Sequence, residues 1–251
     1  MTGTIRVDRD GPVGQLTIDN ERRRNALSPA MFAQLGECLR VLDQDPGVRV
    51  IVLRGAGERA FAAGADIGEI STGAGRPAAT SDPVFAVATP VVAMIRGACM
   101  GAGMLLALSA DIRIAAADAR FAIPAARLGI GYPYAGVRQL VAAAGPAAAA
   151  EILLTGAVFD AADAARWGIV SRVVAAEDLD ATVRDMTAAM ASGAPLTARA
   201  AKTAIAAVLA GSPPGAVAGA EEAIRACWDS EDLREGQRAF AQRRAPEFQG
   251  K

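Results

Sequence analysis

Apolar and polar positions change period several times along this chain. Residues 13–18 alternate apolar with small or polar side chains ahead of a charged stretch at 19–24, which predicts a half-buried strand. Ser28-Pro29 then offers an N-cap and a first-turn proline, and Met31, Leu35, Leu39 and Leu42 follow at helical spacing. Residues 48–53 are nearly all apolar, as expected of a parallel strand covered on both faces. Phe61-Ala-Ala-Gly-Ala-Asp66 reads as a small-residue turn leading into a short helix. The pattern then recurs, with a strand at 90–95, a turn at 97–103, a helix at 104–110 and a strand at 112–115. Alternating signals of this kind argue for an α/β core with right-handed crossovers. Between the two passes, residues 71–82 are rich in Gly, Pro, Ser, Thr and Ala without a period, and are expected to form a mobile surface loop beside a site.

From about Tyr134 onward helix signals dominate. Gly145-Pro146 separates two Ala-rich helices, a brief strand falls at 169–174, Pro195 opens a further helix, and 211–215 breaks it. Trp228, Leu233 and Phe240 stand as apolar anchors among charges, so the tail should pack on the core or on a neighbouring subunit. The chain thus divides into a core, residues 1–190, and a helical C-terminal region, residues 191–251.

Composition narrows the chemistry. Apolar residues make up 52% of the chain and aromatic ones only 4%, so the core must be built from Ala, Val, Leu and Ile, with close helix packing through small side chains. A formal charge of -1 supplies no long-range field to gather nucleic acid or an anionic membrane, which leaves a small molecule or a protein as partner. Cys38, Cys99 and Cys227 are few, odd in number and far apart, as in a reduced cytosolic protein, and are expected to be small buried side chains. Histidine is absent, which excludes serine–histidine chemistry and ordinary zinc sites. The first residues carry no signal-like apolar run, and the uncharged stretch at 97–110 is too short to span a bilayer.

Gly101-Ala-Gly103 resembles the start of a dinucleotide fingerprint, but the third glycine and the downstream acid are missing. A pair of strand–turn–helix junctions remains, Ala63-Gly64-Ala65-Asp66 and Met100-Gly101-Ala102-Gly103. The first N–H groups of a helix lack internal partners and carry the positive end of its dipole. Either junction alone is merely a tight turn; two that converge would form an oxyanion hole, with small residues letting a carbonyl approach the main chain.

Asn25-Ala-Leu27, Ala60-Phe-Ala-Ala-Gly-Ala-Asp66-Ile67 and Arg96-Gly-Ala-Cys-Met-Gly-Ala-Gly103 occur in the order and spacing of the crotonase superfamily, the enoyl-CoA hydratase/isomerase family. The resemblance continues through Ala110-Asp111, Phe121, Pro124, Leu128-Gly129, Leu154-Thr-Gly156 and Gly168-Ile-Val170 to Asp229-Ser-Glu-Asp232 and Phe248. It implies a spiral of ββα repeats with a helical C-terminal region that helps form a homotrimer, often paired into a hexamer, in the cytoplasm. It further implies an acyl-CoA thioester as partner, with CoA as part of the substrate and no metal or redox cofactor. Carried over, the oxyanion amides belong to Ala65 and Ala102. Ala63, Asp66, Ile67 and Arg24 would face the bound CoA ester, unless the arginine loop is only a solvated surface.

The chain departs from the family pattern where hydratases carry two glutamates. Those positions hold Leu105 and Ala125, and neither can move a proton. Loss of a general acid or base removes about two to four orders of magnitude each, about 3–5 kcal/mol of barrier lowering. The loop Leu128-Gly-Ile-Gly-Tyr132-Pro-Tyr134 is similar to that of methylmalonyl-CoA decarboxylases, whose tyrosine matches Tyr132. Tyr132 could then orient a carboxylate, or Tyr132 and Tyr134 could simply line an acyl pocket. A third reading is an acyl-CoA carrier or regulator that kept the pocket and lost the chemistry.

Overall fold

The computed structural model describes residues 3–65 and 87–251. The expected loop at 71–82 lies outside them, as do Asp66 and Ile67. A six-stranded sheet runs β1 (Thr4–Asp10), β2 (Val13–Asp19), β3 (Val50–Gly55), β5 (Val91–Ile95), β7 (Ile112–Ala116), β10 (Arg172–Val174). A four-stranded sheet runs β4 (Ala60–Ala62), β6 (Ala98–Met100), β8 (Arg120–Ala122), β9 (Phe159–Asp160). Each pass of the chain gives one strand to the large sheet and the next to the small one: β3 then β4, β5 then β6, β7 then β8. The passes stack in parallel register, Leu53 on Ala93 in one sheet and Cys99 on Phe121 in the other, so the chain forms a spiral. This is the α/β architecture that the alternating signals predict.

The strands at the middle of the large sheet are apolar on both faces because each face meets a different core. Ile51, Leu53, Val91, Ala93 and Ile95 enter a cluster with α1 (Pro29–Gln44), the small sheet and α2 (Ala102–Ser109). Val50, Val52, Val92 and Met94 point the other way, onto Leu179, Val183 and Ala191 of a helix at Leu179–Ser192. Side chains of successive strand residues point to opposite faces, so one five-residue run supplies both cores. The first helix starts as its sequence suggests, with Ser28 accepting the Met31 N–H and Pro29 in the first turn.

The segment read as a turn at 97–103 contains β6, and β1, β4, β8 and β9 are strands for which the sequence carried no readable signal. Gly97 makes the corner between β5 and β6 at φ 63°, where a Cβ would fall 2.2 Å from the Arg59 carbonyl oxygen. Only glycine fits that corner.

α3 (Ala125–Leu128) precedes α4 (Tyr134–Thr155), which spans both predicted Ala-rich helices and bends between them at Gly145, with Pro146 inside. By length and composition α4 could cross a membrane; Gly136, Gln139, Leu140, Ala148, Ala149 and Ile152 are the residues it buries within the fold.

The helix Pro195–Leu209 is tied to the core by Lys202, whose Nζ pairs with Asp111 at 2.9 Å and donates to the Thr89 carbonyl at 3.0 Å. Farther on, the helix Glu231–Gln242 holds the last residues through buried Asp232, which accepts from Gln249 and Gly250 N–H. Trp228 and Phe240 do not act as anchors within this chain, being 70% and 88% exposed. Phe240 follows the buried Ala239, and about 100° of helix rotation per residue turns its ring away from the face already filled. Of the cysteines only Cys99 is fully buried; Cys38 and Cys227 are half-buried.

Candidate active site

The first turn follows β4. Ala63 N–H donates to the Arg24 carbonyl at 3.0 Å, and the Gly64 carbonyl accepts from Leu27 N–H at 2.8 Å, so the 20–27 loop is laced to the turn through main chain alone. That loop is pinned by Asn25, 1% exposed and in the left-handed region at φ 57°. Its Oδ1 accepts from Asn20 N–H at 3.0 Å, and its Nδ2 donates to the Ala56 and Ala60 carbonyls at 2.9 and 2.7 Å. Asparagine tolerates this backbone well and satisfies three buried main-chain groups at once. Arg24 is thereby placed beside the first turn with its side chain exposed.

The second turn joins β6 to α2. Gly101, at φ 49° and ψ −109°, donates its N–H to the Ala122 carbonyl at 2.8 Å. Two residues on, a Cβ at Gly103 would lie 2.2 Å from the Ala62 carbonyl oxygen, so the first turn of α2 sits directly on β4.

These close approaches bring the two turns into contact. A Cβ on Gly64 would stand 3.4 Å from the Met100 carbonyl oxygen and 4.0 Å from Ala102 N, and one on Gly101 would stand 3.9 Å from Gly64 Cα. Ala102 opens α2, so its N–H has no intrahelical acceptor. Among the described residues, neither Ala65 N–H nor Ala102 N–H has a hydrogen-bond acceptor. Two such donors on adjoining turns, one at a helix N-terminus, can take up negative charge.

Across from the second turn the chain is mostly apolar. Leu105, one helical turn after Ala102, is half-buried, as is Ala125 at the start of α3. Tyr132 lies on the core, and its hydroxyl donates to the Gly101 carbonyl at 3.2 Å. Its ring fits because residue 136 is glycine: a Cβ there would be 2.6 Å from Tyr132 Cε1 and 2.8 Å from Leu105 Cδ1. Tyr134, by contrast, begins α4 and is 82% exposed, so within one chain it does not join Tyr132 as a pocket wall.

Ala63, Ala65, Ala102, Leu105 and Tyr132 are therefore gathered around the paired turns, with Arg24 alongside. The nearby acids Asp111 and Asp118 are engaged elsewhere, the first with Val91 N–H and Lys202, the second with Arg96. Burial pushes the Cys99 thiol far above its usual range, so it stays protonated and inert. No group of three metal-ligating side chains occurs among the described residues. Asn25 and Gly136 are the two supporting residues to which the sequence reading assigned no role. The signal for Asn25 was present in its motif, as a polar residue between a charged loop and a core leucine.

A spiral of paired sheets bearing abutting small-residue turns is the architecture of crotonase-type proteins. Solved structures agree: an enoyl-CoA hydratase/carnithine racemase from Magnetospirillum magneticum superposes with a TM-score of 0.90 at 35% identity, covering 98% of this chain and 96% of that one. An enoyl-CoA hydratase from Bacillus anthracis does so at 0.89 and 28%, covering 98% and 99%. The carnitinyl-CoA dehydratase of Salmonella typhi is 32% identical over the full length of both chains. The profile of the enoyl-CoA hydratase/isomerase family matches residues 8–251, and the chain belongs to that family.

Proposed function

We propose that this chain binds an acyl-CoA thioester with its carbonyl oxygen against the amides of Ala65 and Ala102, and that it stabilises negative charge there in a reaction passing through a CoA enolate. What supports this most is the contact of the two turns at Gly64 and Gly101, each followed by an N–H without an acceptor among the described residues. Such donors act where charge develops and need no titratable side chain. The reading places the reaction among the lyases and isomerases of the family and requires no cofactor beyond the CoA of the substrate. Arg24 and the main chain around Ala63, with Asp66 and Ile67, would accompany the CoA portion.

Leu105 and Ala125 argue against rapid hydration at the usual positions. A decarboxylase-like reaction on a methylmalonyl thioester, with Tyr132 beside the reacting carbon, needs neither glutamate. The half-buried Leu105 packed by Tyr132 favours a second reading, a carrier that holds an acyl chain on an apolar wall. Incubation with crotonyl-, methylmalonyl- and butyryl-CoA separates them: product from one of these supports the enzyme, tight binding without product supports the carrier, and failure of every CoA ester to bind overturns both. The double variant Leu105→Glu/Ala125→Glu should gain at least about a hundredfold in crotonyl-CoA hydration if only the acid and base are missing.

We also propose a cytoplasmic homotrimer or hexamer. Exposed Ile205, Val208, Trp228 and Phe240 on the C-terminal helices support self-association. Sedimentation equilibrium giving a monomer would overturn it.

A further inference from the structure

The carbonyl oxygen of Gly101 and the N–H of Ala102 belong to one peptide group. That oxygen receives two donors, the Leu105 N–H at 3.1 Å within the helix and the Tyr132 hydroxyl at 3.2 Å from outside it. A carbonyl can only accept, so in the second of these bonds the phenol is the donor.

We propose that Tyr132 is a positioning residue that holds and polarises the Gly101–Ala102 peptide, making Ala102 N–H a better donor to an anionic oxygen. The proposal rests on the reading of the Ala65 and Ala102 amides as the thioester-oxygen site. Donation to a peptide oxygen draws electron density from the nitrogen, and hydrogen bonds in such a chain reinforce one another by about 10–30% per bond. The same bond fixes the peptide plane. Gly101 sits at φ 49° and ψ −109°, a conformation reached freely by glycine, so an added anchor narrows the direction in which the next N–H points.

Two observations separate this role from simple pocket lining. The phenol hydroxyl meets the main chain at the peptide that carries Ala102 N–H. At the first turn the corresponding Gly64 carbonyl is held instead by the main-chain N–H of Leu27. Gly136 completes the arrangement by leaving room for the ring beside Leu105.

The test uses acetoacetyl-CoA, a thioester that ionises to an enolate with its own ultraviolet band, and butyryl-CoA, which does not. In the intact protein the enolate of bound acetoacetyl-CoA should form at lower pH than in solution. Tyr132→Phe keeps the ring and removes only the donor. It should move that midpoint up by about half to one pH unit, about three- to tenfold in enolate affinity, while butyryl-CoA affinity changes less than about twofold. Incorporation of 3-fluorotyrosine at position 132, a stronger donor, should move the midpoint the opposite way. The infrared carbonyl band of bound ¹³C-labelled butyryl-CoA should show a smaller red shift in the phenylalanine variant. An unchanged midpoint in Tyr132→Phe, with enolate still stabilised by the parent protein, overturns this role and leaves the oxyanion reading standing. Equal loss for both ligands overturns it in favour of packing. A parent protein that binds butyryl-CoA yet does not lower the enolate midpoint overturns the oxyanion reading itself.

Discussion

The two glycine turns are alike in composition and unlike in support. The turn at 63–65 ends a three-residue strand, and what holds it comes from nearly forty positions away, through the loop that Asn25 fixes against Ala56 and Ala60. The turn at 101–103 begins a helix: Gly101 turns the chain with its N–H on the Ala122 carbonyl and its own carbonyl under the Tyr132 hydroxyl, Gly103 lets the helix rest on Ala62, and the helix supplies the Ala102 N–H with its dipole. The lesson is that a main-chain donor can be set up either by the secondary structure it belongs to or by a distant side chain. The second route is sensitive to mutations well outside the turn.

Gly103→Ala should have the largest effect, because the new methyl would fall 2.2 Å from the Ala62 carbonyl oxygen, a main-chain clash that no rotamer change absorbs. We expect a loss of about 3 kcal/mol of stability or more, read as a fall in the midpoint of chemical denaturation, with acyl-CoA binding lost at temperatures where the protein remains folded. A stable variant with unchanged binding would show that the helix does not need its contact with Ala62.

Asn25→Ala sharpens the contrast from the other side. It strips partners from Asn20 N–H and from the Ala56 and Ala60 carbonyls, and puts alanine at a positive φ. Unsatisfied buried groups cost about 1–3 kcal/mol each, and partial hydration should bring the total to about 2–3 kcal/mol. Hydrogen exchange should quicken at Leu27 and Ala63 while the amides of α2 stay protected. Uniform quickening of both regions would contradict independent support of the two turns.

The smallest effect belongs to a control remote from both turns. Glu235 is held down to about 2 from its ordinary 4.5, first by the hydrogen bond from Arg244, then by Glu247 N–H and Arg238. A carboxylate depressed in the folded state contributes stability above the unfolded value and loses it as pH falls toward the folded one. Acid should therefore loosen the C-terminal segment between pH 4.5 and about 2. Glu235→Gln should flatten stability over that window without altering acyl-CoA binding at neutral pH. A change in binding would tie the tail to the site.

Several elements could be read directly from the residues. Ser28-Pro29 with its leucine spacing gave α1, and the apolar runs gave β3, β5 and β7, because each is long enough to show a period or a continuous core. The small sheet could not be read, since strands of two or three residues have no detectable period. The two turns were visible as motifs, and Tyr132 through the resemblance of its loop, while its bond to the Gly101 carbonyl was not.

By itself, then, the sequence determined the middle strands of the large sheet, the helical tail, the pair of small-residue junctions and the absence of glutamate at 105 and 125, all of which are matters of local pattern or identity. Only the tertiary structure decided that Gly64 and Gly101 touch, that Asn25 spans to Ala60, and that the Tyr132 proton rests on the peptide carrying Ala102 N–H. Such contacts join residues 31 to 37 positions apart, and contact across that distance depends on how the spiral closes rather than on any pattern within reach of a helix turn or a strand pair.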